Sequence, residues 1–300
     1  MNKDELFKID RNKYINNNMF ADKLNGLHEF QTQSTTYTEE ETADYIQFVE
    51  KIKRKSGIDL AQYKEAQMRR RLNTLRVKNG FDSFRSFYNG IESSKQLYYE
   101  FLDRMTINVS EFWRNPTRWD TLRMKVLPEL MKHSTRLRCW SAACSTGEEP
   151  YTLAMILDDA KILTGSRLIA SDLDENALAK AKEGIYLSRA LKDVPQQFQN
   201  RYFEHEEGSA MFRIQDRLKS EVQFRKQNLL SDTFENGYDL IICRNVMIYF
   251  TEEAKHQLYH KFSKALRPGG YLFVGSTEQI FNPSNYQFES TETFFYRKLS

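Results

Sequence analysis

The stretch WSAACSTGEEPY, Trp140–Tyr151, joins a short apolar strand to a helix, as a phosphate-binding turn does in nucleotide-binding α/β proteins. Such turns are rich in glycine, whereas this stretch contains a single glycine, Gly147. Glu148 and Glu149 follow at the start of the helix, where their charge opposes the phosphate that a helix N-terminus would otherwise attract. The loop therefore favours a cationic or neutral nucleoside ligand over a phosphate.

Strand-like and helix-like segments alternate around this loop from Pro128 to the C-terminus. SRLIASDLD, YDLIICRN and GYLFVGS are strand-like, whereas ENALAKAKEGIY and EEAKHQLYHKFSKAL have helical periodicity. Repeated βα units predict a mainly parallel sheet with helices on both faces. RYFEHEEGSAMFRI interrupts the alternation and predicts a small antiparallel insertion at about residues 195–226, and YQFES and TFFYRK predict a final hairpin.

The region before this alternation is predicted to be helical and locally basic. Residues 51–90 hold eleven basic and three acidic side chains, a net charge of +8 within a chain of net charge +3. Helical geometry places Arg69 and Arg76 on one side of an apolar stripe, and Arg71 and Lys78 on the other. These four residues are predicted to bind an acidic partner, with a solvated helix face as the alternative.

Composition restricts the class of protein. Of 300 residues, 40% are hydrophobic and 13% aromatic, which suffices for globular cores. No apolar run approaches the roughly 20 residues of a membrane-spanning helix, and the first residues lack the apolar segment of a signal peptide. The three cysteines have neither metal-finger spacing nor the density of a disulfide scaffold. We therefore expect a cytoplasmic protein without a metal and without membrane insertion.

Ligands of open α/β sheets bind beyond the carboxyl ends of the strands, and several strand ends here carry polar side chains. Asp172 is placed to accept both hydroxyls of a ribose. Asn228 and Leu229 suit the edge and the face of an adenine, and Arg244 and Asn245 follow a further strand. Each residue alone has a structural explanation, such as a helix cap or a turn. Together they predict a nucleoside site.

The sequence resembles the chemotaxis receptor methyltransferases, CheR, which esterify glutamate side chains with S-adenosylmethionine. The stretches that carry the resemblance lie within about residues 42–298: MTINVSEFWRNPTRW, WSAACSTGEEPYTLAM, ASDLDENALAKAKEGIY, NLL, CRNVMIYF and VGSTEQIF. The resemblance implies a Rossmann-like α/β methyltransferase domain with a small antiparallel β-subdomain, preceded by an all-α domain. We predict a mobile polar extension over 1–37, the α-helical domain over 38–115 and the methyltransferase domain over 116–300.

The resemblance also implies a set of site residues. The positions expected to contact the cofactor are Asn108, Ser110, Arg114, Glu149, Asp172, Asn228, Leu229, Arg244 and Asn245. Arg114 is also predicted to be catalytic, either by orienting the substrate carboxylate or by holding the methionyl end of the cofactor, and Tyr249 by donating a hydrogen bond. The cofactor carries a sulfonium and an ammonium but no phosphate, which agrees with an acidic, glycine-poor loop.

A glutamate with a reference pKa of about 4.3 is already an anion at neutral pH, so the transfer needs no general base. S-adenosylhomocysteine is the product, and exclusion of water with fixed orientation should supply much of the rate. The expected partners are the cytoplasmic methylation helices of chemoreceptors. We expect a monomer that binds no nucleic acid.

Two other functions stay open on the sequence alone. A nucleic-acid amino-methyltransferase would use the loop Asn245–Tyr249 near a flipped base and the basic block on phosphates. The segment NVMIY, however, lacks both prolines of an NPPY-like loop. A catalytically silent adaptor would bind the cofactor without turnover.

Overall fold

The computed structural model describes residues 37–106, 108, 110–205 and 208–300. The mobile extension predicted over residues 1–37 lies outside these ranges except for its last residue. Residues 43–300 form one compact unit. Within the described ranges, no helix combines the length and apolar character that crossing a bilayer requires.

The region before the sheet is helical, as predicted. Its core contains Phe48, Leu72, Phe87 and Phe101, each at most 1% exposed. The elements are α1 Glu39–Ser56, a 3₁₀ turn at Leu60–Gln62, α2 Glu65–Lys78, α3 Phe84–Ser93 and α4 Lys95–Met105.

The remaining described residues form two sheets between further helices. The strands are β1 Arg138–Ala142, β2 Arg167–Asp172, β3 Ile185–Leu187, β4 Phe203–His205, β5 Met211–Ile214, β6 Val222–Lys226, β7 Tyr238–Cys243, β8 Leu266–Val274, β9 Phe288–Glu292 and β10 Phe295–Lys298. The helices are α5 Pro116–Thr121, continued by a π-helical segment Leu122–Val126, α6 Leu127–Met131, α7 Glu148–Asp159, α8 Glu175–Glu183, α9 Gln196–Tyr202, α10 Asp216–Lys219 and α11 Glu252–Ala265. Short 3₁₀ turns occupy Ser188–Leu191, Met247–Tyr249 and Pro283–Tyr286. The predicted boundary at residues 115 and 116 falls between α4 and α5 and stays a prediction.

The main sheet has the strand order β6-β2-β1-β7-β8-β10-β9. Its first five strands are parallel, and β10 pairs antiparallel with both β8 and β9. In β7, Leu240 and Ile242 belong to one core, whereas Ile241 and Cys243 belong to the core on the opposite face. The stretch Leu240–Cys243 is apolar because both faces of the sheet are covered. The predicted parallel sheet and terminal hairpin are thus confirmed.

The predicted extent of the antiparallel insertion, residues 195–226, needs correction. The small sheet has the order β3-β5-β4, so it begins with Ile185–Leu187, while Val222–Lys226 is a parallel edge strand of the main sheet. Gly184, at φ 67, ends α8 and turns the chain directly into β3. Local patterning does not reveal which sheet a short strand joins, because that depends on its partner.

Gly147 lies at the end of the loop after β1 with φ 97, immediately before α7. A Cβ at this position would lie 2.9 Å from the Cβ of Ala181 and 3.0 Å from the hydroxyl of Tyr186. The loop therefore needs glycine at this one position, where α8 packs closely against it.

We expect Gly147→Ala to lower the free energy of unfolding by about 2–4 kcal/mol, because the methyl group adds overlap to the strain of a positive φ. Urea denaturation measures this loss. Gly80→Ala is the matched control, since Gly80 has φ 76 and a Cβ added there would have no neighbour within 4 Å. Its expected loss is about 1 kcal/mol. Equal losses in the two variants would show that the close packing at Gly147 contributes nothing.

Candidate functional site

A cleft opens at the carboxyl ends of β1, β2, β6 and β7. Its other walls come from the linker that follows α4 and from the turn before α2. Tyr249 and all nine positions predicted to contact the cofactor line this cleft: Asn108, Ser110, Arg114, Glu149, Asp172, Asn228, Leu229, Arg244 and Asn245. The structure thus brings together residues that the sequence separates widely.

The loop after β1 runs alongside the carboxyl end of β2. Ala143 and Ser145 have φ values of 59 and 49, a conformation that L-residues rarely adopt. The Cys144 amide donates to the Ser171 carbonyl at 2.9 Å, and the Ser145 amide donates to Asp172 Oδ2 at 2.7 Å. These hydrogen bonds hold a strained turn of small residues along the cleft.

Asp172 and Asp174 follow β2 but have different roles. Asp174 caps α8, because its Oδ1 accepts from the amides of Asn176 and Ala177 at 2.8 and 3.2 Å. Asp172 faces the cleft, and its two oxygens accept from the amides of Ser145 and Asp174 at 2.7 and 2.9 Å. Burial raises the pKa of Asp172 to about 6, against the opposing effect of these amides.

The two adjacent glutamates of α7 also separate. Glu148 is buried, and its Oε2 accepts from the Thr146 hydroxyl at 2.7 Å. Glu149 lines the cleft, where its Oε1 accepts from the Ser141 hydroxyl at 2.9 Å and its Oε2 lies 3.6 Å from Arg244 Nη1. Burial raises the pKa of Glu149 to about 7, and the Arg244 charge opposes the shift. Glu149 is therefore the carboxylate of this pair that a ligand in the cleft meets.

Arg244 connects the end of β7 to the linker. Its Nη2 donates to the Arg114 carbonyl at 2.8 Å and to Asn115 Oδ1 at 3.0 Å. The guanidinium also lies 4.8 Å from the centre of the Phe273 ring. Trp113 and Asn115 flank Arg114 with φ values of 56 and 61, so Arg244 holds a strained turn that brings Arg114 to the cleft.

Asn108 and Ser110 tie the linker to the strand-end loops. Asn108 Nδ2 donates to Asp174 Oδ2 at 2.8 Å, and its Oδ1 accepts from the Ser145 hydroxyl at 3.0 Å. Ser110 hydrogen-bonds to the Glu148 carboxylate. Both linker residues therefore shape the cleft through contacts within the protein.

The segment after β6 forms a turn. Asn228 Oδ1 accepts from the Leu230 amide at 3.0 Å, and the Asn228 amide donates to Asp232 Oδ2 at 2.9 Å. Leu229 presents an apolar wall of the cleft. The Asn228 Oδ1 therefore stabilises a turn, which is the structural explanation considered for this residue, and its Nδ2 is the atom that would contact an adenine.

One wall of the cleft, the turn before α2, was not predicted from the sequence. Tyr63 lines the cleft and forms an antiparallel bridge with Phe250, and their ring centres lie 5.2 Å apart. The Lys64 amide donates to the Tyr249 carbonyl at 2.9 Å. No local pattern marks these residues, because the pairing joins segments that are distant in sequence.

The basic face predicted on α2 needs correction. Arg69 is 3% exposed, and its guanidinium lies 5.0 Å from the centre of the Tyr45 ring, so it does not present to a partner. Arg71 is half-buried and donates to the Met105 carbonyl at 3.0 Å, with its guanidinium 5.0 Å from the centre of the Tyr249 ring. A helical projection places both at a rim, but aromatic rings from other elements cover them.

The remaining cations of α2 are partly covered or exposed. Arg76 is half-buried and donates to the Phe81 carbonyl at 2.7 Å. Lys78 is exposed and lies 3.1 Å from Glu100. Arg70 is also exposed. Arg70 and Lys78 are therefore the outward cations of this helix.

The lining groups fit the methyl donor that the resemblance implies. Ionised Glu149 and Asp172 are hydrogen-bond acceptors only, which suits an ammonium and two ribose hydroxyls. Leu229 offers an apolar surface to a base.

Two family models match the chain. The CheR methyltransferase all-alpha domain matches residues 43–106, and the CheR methyltransferase SAM binding domain matches residues 108–295. The chemotaxis protein methyltransferase of Listeria monocytogenes is 44% identical over 256 residues, which cover 85% of this chain and 97% of that protein. Chemotaxis protein methyltransferase 1 of Pseudomonas aeruginosa is 35% identical over 257 residues, with coverages of 82% and 93%.

Among solved structures, a TehB-like SAM-dependent methyltransferase from Corynebacterium glutamicum covers 61% of this chain and 94% of its own. The sequence identity is 15% and the TM-score is 0.34. A likeness at this level adds nothing to the matches above.

Proposed function

The chain belongs to the CheR methyltransferase family, and we propose that it transfers methyl groups to glutamate side chains of chemoreceptors, forming methyl esters. Membership of this family confirms the predicted cofactor, S-adenosylmethionine, and the predicted role in chemotaxis. The observation that carries the finer proposal is the convergence of Arg114 and Tyr249 on the cleft that the predicted cofactor positions line. A guanidinium and a phenol are hydrogen-bond donors suited to an anionic oxygen, which favours a carboxylate over an amine as the methyl acceptor.

The residues of the cleft divide into those that would hold the cofactor and those that would meet the substrate. S-adenosylmethionine supplies an electrophilic methyl group on its sulfonium. Glu149 would accept from its ammonium and Asp172 from its ribose hydroxyls, while Asn228 and Leu229 would meet its adenine. These assignments follow from the chemistry of the side chains and their shared cleft.

Arg114 and Tyr249 would act on the substrate side. The Arg114 guanidinium orients the glutamate carboxylate, which is ionised without a base because its reference pKa is about 4.3. Burial raises the pKa of Tyr249, so its phenol stays protonated and can donate a hydrogen bond. The Tyr63–Phe250 bridge forms one wall of the cleft beside these two residues.

The affinity for S-adenosylmethionine is expected to rise with pH. In the free protein the pKa of Asp172 is raised to about 6 and that of Glu149 to about 7, so both carboxyls take up protons as pH falls. A cationic ligand binds the ionised carboxylates, so a carboxyl that is protonated in the free protein must release its proton on binding. For each such carboxyl, the affinity falls about tenfold per pH unit below its pKa in the free protein. Calorimetry from about pH 5.5 to about pH 8 measures the dependence. Glu149→Gln should remove its upper part, whereas a pH-independent affinity would contradict the proposed pairing.

The reaction is tested by incubating the protein with tritium-labelled S-adenosylmethionine and a cytoplasmic receptor fragment, followed by mild base. Glutamate methyl esters release the label as methanol, and a fragment with glutamine at the methylation sites serves as the control. Base-stable label, or label in added RNA, would favour an amino-methyltransferase. Cofactor binding without incorporation into any substrate would favour the silent adaptor.

Of the four cations predicted to bind the receptor, Lys78 alone points outward, and we propose that the receptor docks on Lys78 together with Arg70. The reaction is proposed to take place in the cytoplasm. We expect the double charge reversal Arg70→Glu with Lys78→Glu to raise KM for the receptor about tenfold at low ionic strength, with kcat unchanged. The effect should shrink with added salt. Lys132→Glu, at an exposed site after α6, is the control. An unaltered KM at low salt would remove this face from the interaction.

A further inference from the structure

Glu278 lies in the segment VGSTEQIF that follows β8 and is 4% exposed. Its carboxylate accepts hydrogen bonds from five backbone amides. Oε1 accepts from Val246, Met247 and Ile248 at 2.9, 2.7 and 3.3 Å, and Oε2 accepts from Asn245 and Gly275 at 2.6 and 2.8 Å. Four of these amides belong to the consecutive residues 245–248, so one side chain hydrogen-bonds to most of the backbone of the loop 245–249.

The five amides require an ionised carboxylate. A carboxylate only accepts hydrogen bonds, whereas a carboxylic acid would place its own proton against one of the donors. Burial raises the pKa of Glu278, and the backbone hydrogen bonds oppose that shift. Consecutive backbone amides of this kind form a site for a fixed anion.

Gly275 gives a second, independent indication that this contact shapes the site. A Cβ at Gly275 would collide with Glu278 Oε2 and lie 2.9 Å from the Asn245 amide nitrogen. Only glycine fits at position 275, because any side chain there would occupy the space between the Glu278 carboxylate and the loop.

The anchored loop separates two sets of side chains. Asn245, Val246 and Tyr249 line the cleft, whereas Met247 and Ile248 line a cavity on the other side of the loop. Asn245 has φ 61, a conformation that a non-glycine residue rarely adopts without support from its surroundings. The hydrogen bonds to Glu278 supply that support.

We propose that Glu278 is a positioning residue for methyl transfer, which fixes the loop 245–249 so that Asn245 and Tyr249 face the bound donor and the substrate. The inference rests on the proposed function, because Tyr249 matters to the rate only if it meets the methyl acceptor. A purely structural Glu278 would instead affect stability without changing the kcat of the folded protein.

Glu278→Gln tests the inference, because the amide keeps the size of the side chain but turns an NH₂ group toward backbone donors. We expect kcat to fall about 3- to 10-fold, as in Tyr249→Phe, because the variant misplaces the same hydroxyl. The Kd for S-adenosylmethionine should change by less than about threefold, since most of its proposed contacts lie outside this loop. Hydrogen exchange in the peptide of residues 244–250 should become faster.

Tyr296→Phe is the matched control. The Tyr296 hydroxyl accepts from the Ile280 amide at 2.9 Å and so holds the same segment without touching the loop. This variant should lower Tm and leave both kcat and exchange at residues 244–250 as in the wild type. If Glu278→Gln does not fold, Glu278→Asp keeps the charge on a shorter arm and should show the same changes to a smaller degree.

Wild-type kcat and wild-type exchange at residues 244–250 in the folded Glu278 variant would overturn the inference. So would an equal loss of kcat in Tyr296→Phe. Failure of the proposed function has a different signature, because the wild-type protein itself would then not form base-labile esters on the receptor fragment. The exchange measurement needs no substrate, and unchanged exchange would still refute the anchoring by Glu278.

Discussion

Replacing Arg114 with alanine is expected to lower kcat for receptor methylation by about 100- to 1,000-fold, the usual effect of removing one aligned donor at a reacting oxygen. Arg114 lines the cleft beside Glu149, on a turn that Arg244 holds through two hydrogen bonds. Initial rates with a labelled methyl donor measure the effect. Tyr249→Phe should cost less, about 3- to 10-fold, because it removes one neutral hydrogen bond.

Arg118→Ala is the control for this variant, since Arg118 lies nearby in α5 and packs 4.9 Å from the centre of the Phe294 ring. Calorimetry separates the two roles predicted for Arg114. An unchanged Kd for S-adenosylmethionine assigns Arg114 to the substrate carboxylate, whereas a raised Kd assigns it to the methionyl end of the cofactor. Unchanged methylation rates would remove Arg114 from the site.

Asp172→Ala is expected to raise the Kd for S-adenosylmethionine by about 100-fold or more, since hydrogen bonds to charged groups contribute about 1.5–3 kcal/mol each. The variant removes the proposed acceptor for the ribose and also the anchor of the Ser145 amide. Calorimetry at a pH above 7, where the carboxyl with a pKa of about 6 is ionised in the wild type, measures the loss.

Asp239→Ala is the matched control for Asp172→Ala. Asp239 is also a buried strand aspartate, and it accepts from the Arg138 amide at 2.7 Å, but it lies at the amino end of β7. This variant should lose stability and keep the affinity for the cofactor. Equal losses of affinity in the two variants would show that Asp172 acts only through stability.

Most of the order of strands and helices follows from the sequence alone, because apolar period and turn residues are local properties, but β3 and the sheet that β6 joins did not. Within the segment YDLIICRN the run LIIC is apolar on both faces, which predicts a covered, parallel strand, and the structure has one at β7. The position of Asp172 in the cleft was also predictable. Residues just after parallel strands meet at one edge of the sheet whatever the details of packing.

Tertiary structure decided which neighbouring side chains face the ligand. Glu148 and Glu149 are adjacent in sequence, yet Glu148 is buried beside Thr146 while Glu149 lines the cleft. The ring of Tyr45 similarly covers Arg69, which a helical projection had placed at an open rim. Such outcomes depend on groups from other elements, which local sequence patterns do not contain.

The same reason explains why Tyr63 and Glu278 were not predicted. Tyr63 reaches the cleft through a bridge with Phe250, and Glu278 acts on amides that lie far from it along the chain. A strand and its following loop are specified by nearby residues, so the sequence reveals them. A buried carboxylate among distant backbone amides exists only once the sheet has brought the two loops together, because its energy comes from contacts made in the folded state.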